Sequence, residues 1–251
     1  MISPILYKHN FVSFKSNHAN LKGNITFFKG NNNKEISSPV TTHITDKSGS
    51  NEMYSLQKFN IPNFAVLPNN SARGESLSSP KNRKYIKFLK NKGIDTIIDL
   101  REKYKSESYE QLCKEHGLKY YNIPIDSSSV SDEDVINSLP LLFKLINKGG
   151  FYIACAQGLH RTDIALSLNY VFNPKKQDIP VLYGHERSFG LKVDDISRRL
   201  NSVKNKISDD KLSELGWENR EKFEHTFTER KNELYSFNKA YINLKRSNRS
   251  L

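Results

Sequence analysis

The sequence predicts an α/β fold, with a mostly parallel central sheet flanked by helices, an unstructured polar leader before it and a helical extension after it. Three observations carry this reading. Between residues 64 and 170, short apolar runs alternate with segments of helical spacing, the order that results when crossover helices cover both faces of a parallel sheet. Residues 1–58 are rich in Asn, Ser, Thr, Lys and Gly, and such a segment buries too little apolar surface to offset the entropy of ordering. Residues 192–206 and 209–244 show helical spacing with mixed charge, interrupted at Gly216. The expected boundaries are a disordered leader over 1–58, a domain over 59–190 and a helical extension over 191–251.

Within the leader, weak structure is expected only around residues 25–28. The domain opens with a short strand over 63–67 and a loop running through Arg73 and Gly74 to Ser79 and Pro80, a residue pair suited to cap and open a helix. That helix, over 80–92, turns Tyr85, Ile86 and Leu89 inward and ends at Gly93. Lys81, Arg83, Lys84, Lys87, Lys90 and Lys92 form a run without an acid, read as its solvated face. A strand follows over 96–101, then a helix over 106–116 stopped by Gly117, and a strand over 118–123 closed by Pro124. Ser131 and Asp134 have the spacing of a capping box at the head of a helix over 132–147, and Pro140 within it predicts a kink or a break costing on the order of 3 kcal/mol. Beyond residue 170 comes a loop holding His185, Glu186 and Arg187, too sparse for a metal site. In the extension Trp217, Phe223, Phe227, Leu234 and Tyr235 form the expected buried stripe.

The chemistry concentrates in residues 151–170, where an apolar strand stops at Cys155 and a new helix opens at Arg161 and Thr162. A loop entering a helix turns free backbone N–H groups inward, and the helix dipole adds partial positive charge, so the concavity attracts a phosphate. Gly158 lets the loop turn sharply and lets backbone approach the anion. Arg161 can hold two phosphate oxygens with one planar fork of donors. At the floor, the helix N-terminus and the guanidinium favour the Cys155 thiolate, which makes it a nucleophile, and the Thr162 hydroxyl can donate to the sulfur and help it leave.

Cys155, Arg161 and Thr162 resemble the Cys-X5-Arg-Ser/Thr signature of the cysteine-dependent tyrosine and dual-specificity phosphatases, and the resemblance reaches upstream to residue 64. The stretches 93–101 and 116–126 and the run His160-Arg161-Thr162 are similar to the atypical dual-specificity type. Two positions depart from the pattern. Ala154 stands where the family has His, and Asp163 where it has Gly, placing a negative charge near the phosphate. The resemblance implies hydrolysis of phosphate monoesters through a phosphocysteine, with Ala156, Gln157, Gly158, Leu159 and His160 lining the substrate phosphate and no metal or other cofactor. It also implies an acid on a loop ahead of the nucleophile. Asp126, 29 residues before Cys155, is the candidate, with a turn-forming role as the competing reading and Asp132 and Asp134 as substitutes. His160 either orients the substrate or faces solvent, and Arg73 and Arg101 read as structural ion-pair residues.

Phosphotyrosine in a protein is the expected substrate, with phosphoinositides or inositol phosphates as the alternative; the net charge of +12 favours the latter, and the lack of lysine between Cys155 and Arg161 speaks against them. A phosphate-binding protein without turnover is the reading from a different class, motivated by Ala154 and Asp163. The charge is +4 in each of the three segments, a spread read as mostly solvated surface that weakly favours anionic partners in general; no nucleic-acid partner is expected. Two cysteines, Cys113 and Cys155, fit a reducing, cytoplasmic compartment, and no stretch approaches a membrane span. The leader also resembles that of bacterial effectors delivered into a host cell by a specialised secretion system.

Overall fold

A computed structural model describes residues 25–26, 41–42, 61–102, 107–125, 130–175, 177–182 and 191–247. The unstructured leader expected over 1–58 lies outside these residues, except for the dipeptides Ile25–Thr26 (β1) and Thr41–Thr42 (β2), which pair antiparallel. The loop with His185, Glu186 and Arg187 also lies outside them.

The domain is built on five strands in spatial order β3-β4-β7-β5-β6. Ala65–Leu67 (β3) and Ser71–Glu75 (β4) form an antiparallel hairpin, while Thr96–Asp99 (β5), Lys119–Asn122 (β6) and Phe151–Cys155 (β7) continue the sheet in parallel with β4. β4 corrects the sequence reading, which made a loop of Arg73 and Gly74. Its Ser-Ala-Arg-Gly-Glu composition hides a strand whose first four residues are buried between β3 and β7. The hairpin turns at Pro68, Asn69 and Asn70, where both asparagines hold left-handed backbone at φ 56° and 53°. Asn tolerates that region better than other side-chain-bearing residues.

Successive strand residues point to opposite faces, and the core divides accordingly. Ile97, Tyr152 and Ala154 meet Tyr85, Ile86 and Leu89 of Pro80–Asn91 (α1) and Tyr109 and Cys113 of Glu107–Glu115 (α2). On the opposite face Ile98, Ile153 and Cys155 meet Asp132–Lys148 (α3) and His160–Phe172 (α4). The same cluster continues outward into Ile196, Leu200 and Val203 of Leu191–Lys206 (α5), Leu212 of Asp209–Leu215 (α6), and Phe223, Phe227 and Leu234 of Arg220–Ser247 (α7). The extension therefore packs on the domain and shares its core. Of the expected stripe, Trp217, Phe223, Phe227 and Leu234 are buried, and Tyr235 is half-buried.

This wrapping leaves every residue of α4 from Thr162 to Phe172 buried. Its C-terminal carbonyls are satisfied by the extension: the Trp217 indole donates to the Phe172 oxygen at 2.8 Å, and the Arg230 guanidinium donates to the carbonyls of Tyr170, at 3.1 Å, and of Asn173. A cation at the negative end of a helix is also favourable electrostatically.

The helix boundaries otherwise follow the sequence, with two corrections. Ser79 precedes α1, but its side chain makes no capping bond. α3 runs unbroken through Pro140, so the expected break does not occur. Its buried Val135, Ile136, Leu139, Leu142, Phe143, Leu145 and Ile146 hold the helix in place, since tertiary packing of an apolar face outweighs one missing backbone bond. The expected capping box is present, with Ser131 and Asp134 each bonding the other's backbone N–H. Among the described residues no helix is long and apolar enough to cross a membrane.

Candidate active site

β7 ends at Cys155, and α4 begins five residues later, so residues 156–159 form a loop at the carboxyl edge of the sheet, where α/β folds bind ligands. The loop is pinned from below. Ser76 donates its backbone N–H to the Cys155 carbonyl at 3.0 Å, and Asn63 donates its side-chain amide to the Gln157 carbonyl at 2.7 Å. Gly158 has φ +67°, and a Cβ there would stand 2.1 Å from the carbonyl carbon of Gly74. Both the backbone angle and the contact with β4 therefore require glycine.

Beneath this contact lies an ion pair that sequence reasoning did not assemble. Arg73 on β4 donates to the Gly158 carbonyl at 2.8 Å and to the Asp163 carboxylate at 2.6 Å, and both side chains are almost wholly buried. Asp163 thus does not present its charge to a bound phosphate as the sequence suggested. It is neutralised by Arg73, and the pair fastens the first turn of α4 to the hairpin. Arg101 is likewise structural, chelating the Asp99 carboxylate.

Cys155 is 3% exposed at the floor of the loop. Burial alone would raise its thiol pKa; the Thr162 hydroxyl and the backbone N–H groups of Thr162, Gln157 and Leu159 overcome that effect and hold it below the ordinary thiol value. The Thr162 hydroxyl is buried and finds no oxygen or nitrogen partner among the described residues, which leaves it to the sulfur. These donors turn toward the sulfur, an arrangement that favours negative charge on it.

Ala156 and Gln157 are exposed on the rim, while Gly158 and Leu159 are buried and supply backbone. Arg161 stands at the mouth with Nη1 3.9 Å from the Glu102 carboxylate. His160 is half-buried rather than solvent-facing, with Nε2 3.8 Å from the Asp195 carboxylate of α5. Glu102 and Asp195 were not anticipated, because neither falls within a motif.

Asp126, the candidate acid, lies outside the described residues. Both substitutes are engaged elsewhere. Asp132 takes Arg199, Ser202 and Lys206, which hold its pKa below the usual carboxylate value against the raising effect of burial, and Asp134 is lowered by its bonds to Ser131. Neither is suited to carry a proton at neutral pH. Among the described residues, no three His, Cys, Asp or Glu side chains gather into a cluster that could hold a metal ion.

No protein-family profile matches this chain, and no curated protein does. Among solved structures, the chain is similar to Pseudomonas aeruginosa TpbA, with 15% identity, 62% of this chain and 92% of that one covered, and a TM-score of 0.43. It is also similar to the core catalytic domain of the PP-IP phosphatase SIW14 of Saccharomyces cerevisiae, with 13% identity, 68% and 94% coverage, and a TM-score of 0.38.

Proposed function

We propose that this chain hydrolyses phosphate monoesters through a phosphocysteine intermediate. The observation that carries the proposal is the buried Cys155, whose thiol is shifted toward thiolate by three backbone amides and the Thr162 hydroxyl, with Arg161 at the mouth of the same loop. These donors lower the thiol pKa although Ala154 stands where the family has His, which favours turnover over mere phosphate binding.

In this reading Cys155 attacks phosphorus, an S–P bond forms and the P–O bond to the leaving group breaks. Asp126 gives its proton to the departing oxygen. The cradle amides and Arg161 stabilise the equatorial oxygens as charge develops. Water then attacks phosphorus and gives its proton to the Asp126 carboxylate, the S–P bond breaks, and inorganic phosphate leaves while Thr162 supports the returning thiolate.

The preferred substrate is a protein phosphotyrosine. The lack of lysine between Cys155 and Arg161 and the Glu102 carboxylate 3.9 Å from Arg161 make a poor setting for inositol phosphates bearing several phosphate groups. The deciding assay is hydrolysis of an aryl phosphate, a phosphotyrosine peptide and an inositol polyphosphate, without added metal, by the intact chain, Cys155→Ser and Asp126→Ala. Turnover lost in Cys155→Ser supports the class. A folded intact protein with no thiol-dependent turnover on any of the three, but retained phosphopeptide binding, overturns it in favour of the binding reading.

A further inference from the structure

The loop after Cys155 has a neighbour on the same edge of the sheet. Glu102, whose carboxylate stands 3.9 Å from Arg161, also lines a cavity of about 390 Å³, together with residues that follow β6 and residues of α3. An extended chain advances about 3.3–3.6 Å per residue, so a peptide docked at Arg161 reaches this cavity with a residue close in sequence to the one held there.

Part of the lining is apolar, supplied by Pro124, Val130 and Leu141. Leu141 is 38% exposed, and among the described residues it is the one large hydrophobic side chain left open to solvent. The polar part of the lining accepts hydrogen bonds and does not donate them. The Asn122 side-chain amide gives its hydrogens to the carbonyls of Asp99 and Arg101, at 3.0 and 2.8 Å, and the Ser138 hydroxyl donates to the Val135 carbonyl at 2.7 Å. Glu102 and Asp134 add carboxylates, and no Lys, Arg or His lines the cavity among the described residues. Asp134 takes the Ser131 N–H and hydroxyl, at 2.9 and 2.7 Å, with Oδ2 alone, so Oδ1 can accept a further donor. Asp134, Ser138 and Leu141 follow a four-three spacing and so share one face of α3.

In a chain of net charge +12, this lining is the reverse of the average surface. It disfavours a second phosphate. It suits a side chain with an apolar stem and a cationic head, which covers the leucine with the one and meets the carboxylates with the other.

We propose that the cavity is a second recognition site for the substrate peptide and takes a lysine or arginine that flanks the phosphotyrosine, its stem against Leu141 and Pro124 and its head toward Glu102 and Asp134. The proposal rests on the phosphatase reading above and adds to it the class of peptide selected. Asp134 is exposed, and exposed ion pairs are weak, so the site produces a preference among peptides rather than an absolute requirement.

The test uses phosphotyrosine peptides in which each flanking position in turn carries Lys, Ala, Leu or Glu. It reads kcat/KM as a ratio to the Ala peptide, so that a general loss of activity in any variant cancels. With the intact chain, Lys in at least one flanking position is expected to raise kcat/KM on the order of fivefold, and Glu there to lower it. Asp134→Asn, which keeps an oxygen for the Ser131 N–H, and Leu141→Ala should each bring the Lys ratio back toward unity. Leu141 is exposed, so its variant carries the comparison should Asp134→Asn fail to fold. Ratios near unity at every position, a preference for Leu or Glu, or a Lys preference that survives the substitutions would overturn the proposal. An intact chain that turns over neither the peptides nor 4-nitrophenyl phosphate would instead overturn the phosphatase reading. The affinities of the same peptides for that chain would then supply the ratios, and the same outcomes, or no binding at all, would decide the cavity.

Discussion

The two cysteines are both buried, yet the protein makes opposite chemical groups of them. Cys113 lies in α2 beneath one face of the sheet, where burial, with the Asp99 and Glu110 carboxylates adding to it, pushes its thiol up to about 12. Cys155, buried at the end of β7, carries the same desolvation and is nevertheless shifted toward thiolate by amide and hydroxyl donors. Burial therefore does not decide reactivity; the direction in which nearby dipoles point does. Around Cys113 the charges repel an anion, and around Cys155 a helix start is turned toward one.

The largest effect that separates them is expected from Cys155→Ser, which should reduce aryl phosphate turnover to background, while Cys113→Ser leaves kcat of the folded fraction unchanged. Comparable losses in both would break the contrast. Next comes Gly158→Ala. A Cβ forced against the Gly74 backbone at a left-handed φ is expected to cost on the order of 3 kcal/mol in denaturant unfolding and to remove phosphate protection of Cys155 from alkylation.

A third effect is a shift in pH. A lowered thiol pKa means that the reactive thiolate is present above that pKa and lost as pH falls through it. Alkylation by iodoacetate should thus persist at Cys155 under conditions where Cys113, titrating at about 12, is inert. Thr162→Ala removes a donor to the sulfur and should move the Cys155 profile to higher pH; an unmoved profile would assign the thiolate to the amides alone. The smallest effect is Cys113→Ala, a modest loss of about 1 kcal/mol from removing one small buried group, with the rate per folded molecule kept.

The candidate site could be proposed from sequence because its residues follow fixed local offsets: Cys155, Gly158, Arg161 and Thr162 sit on one strand-loop-helix junction and need no partner from elsewhere to be noticed. What fastens that loop was not legible. Arg73 and Asp163 are 90 residues apart and bond only because β4 lies beside β7. β4 itself escaped notice because burial of its polar residues comes from neighbouring strands, although the Asn69-Asn70 turn was a usable signal. Of the kink or break expected at Pro140, the break does not occur, since a local breaker was overridden by the apolar face of α3. Asp195 and Arg199 could be placed on one helical stripe from spacing, but their targets, His160 and Asp132, are set by tertiary docking alone.

The indole that caps α4 is the single tryptophan of the chain. It sits against Phe223, with ring centroids 5.4 Å apart, and under the Arg230 guanidinium, 5.9 Å away. The protein consequently carries its own optical reporter at the far end of the helix that forms the cradle. Undocking of the extension would release the indole to water and shift its emission to the red. A phosphate analogue that binds the folded cradle should raise the temperature of that spectral shift by mass action. Ligands can then be ranked by the intrinsic fluorescence of the unlabelled chain, before any substrate is known and even in variants that no longer turn over.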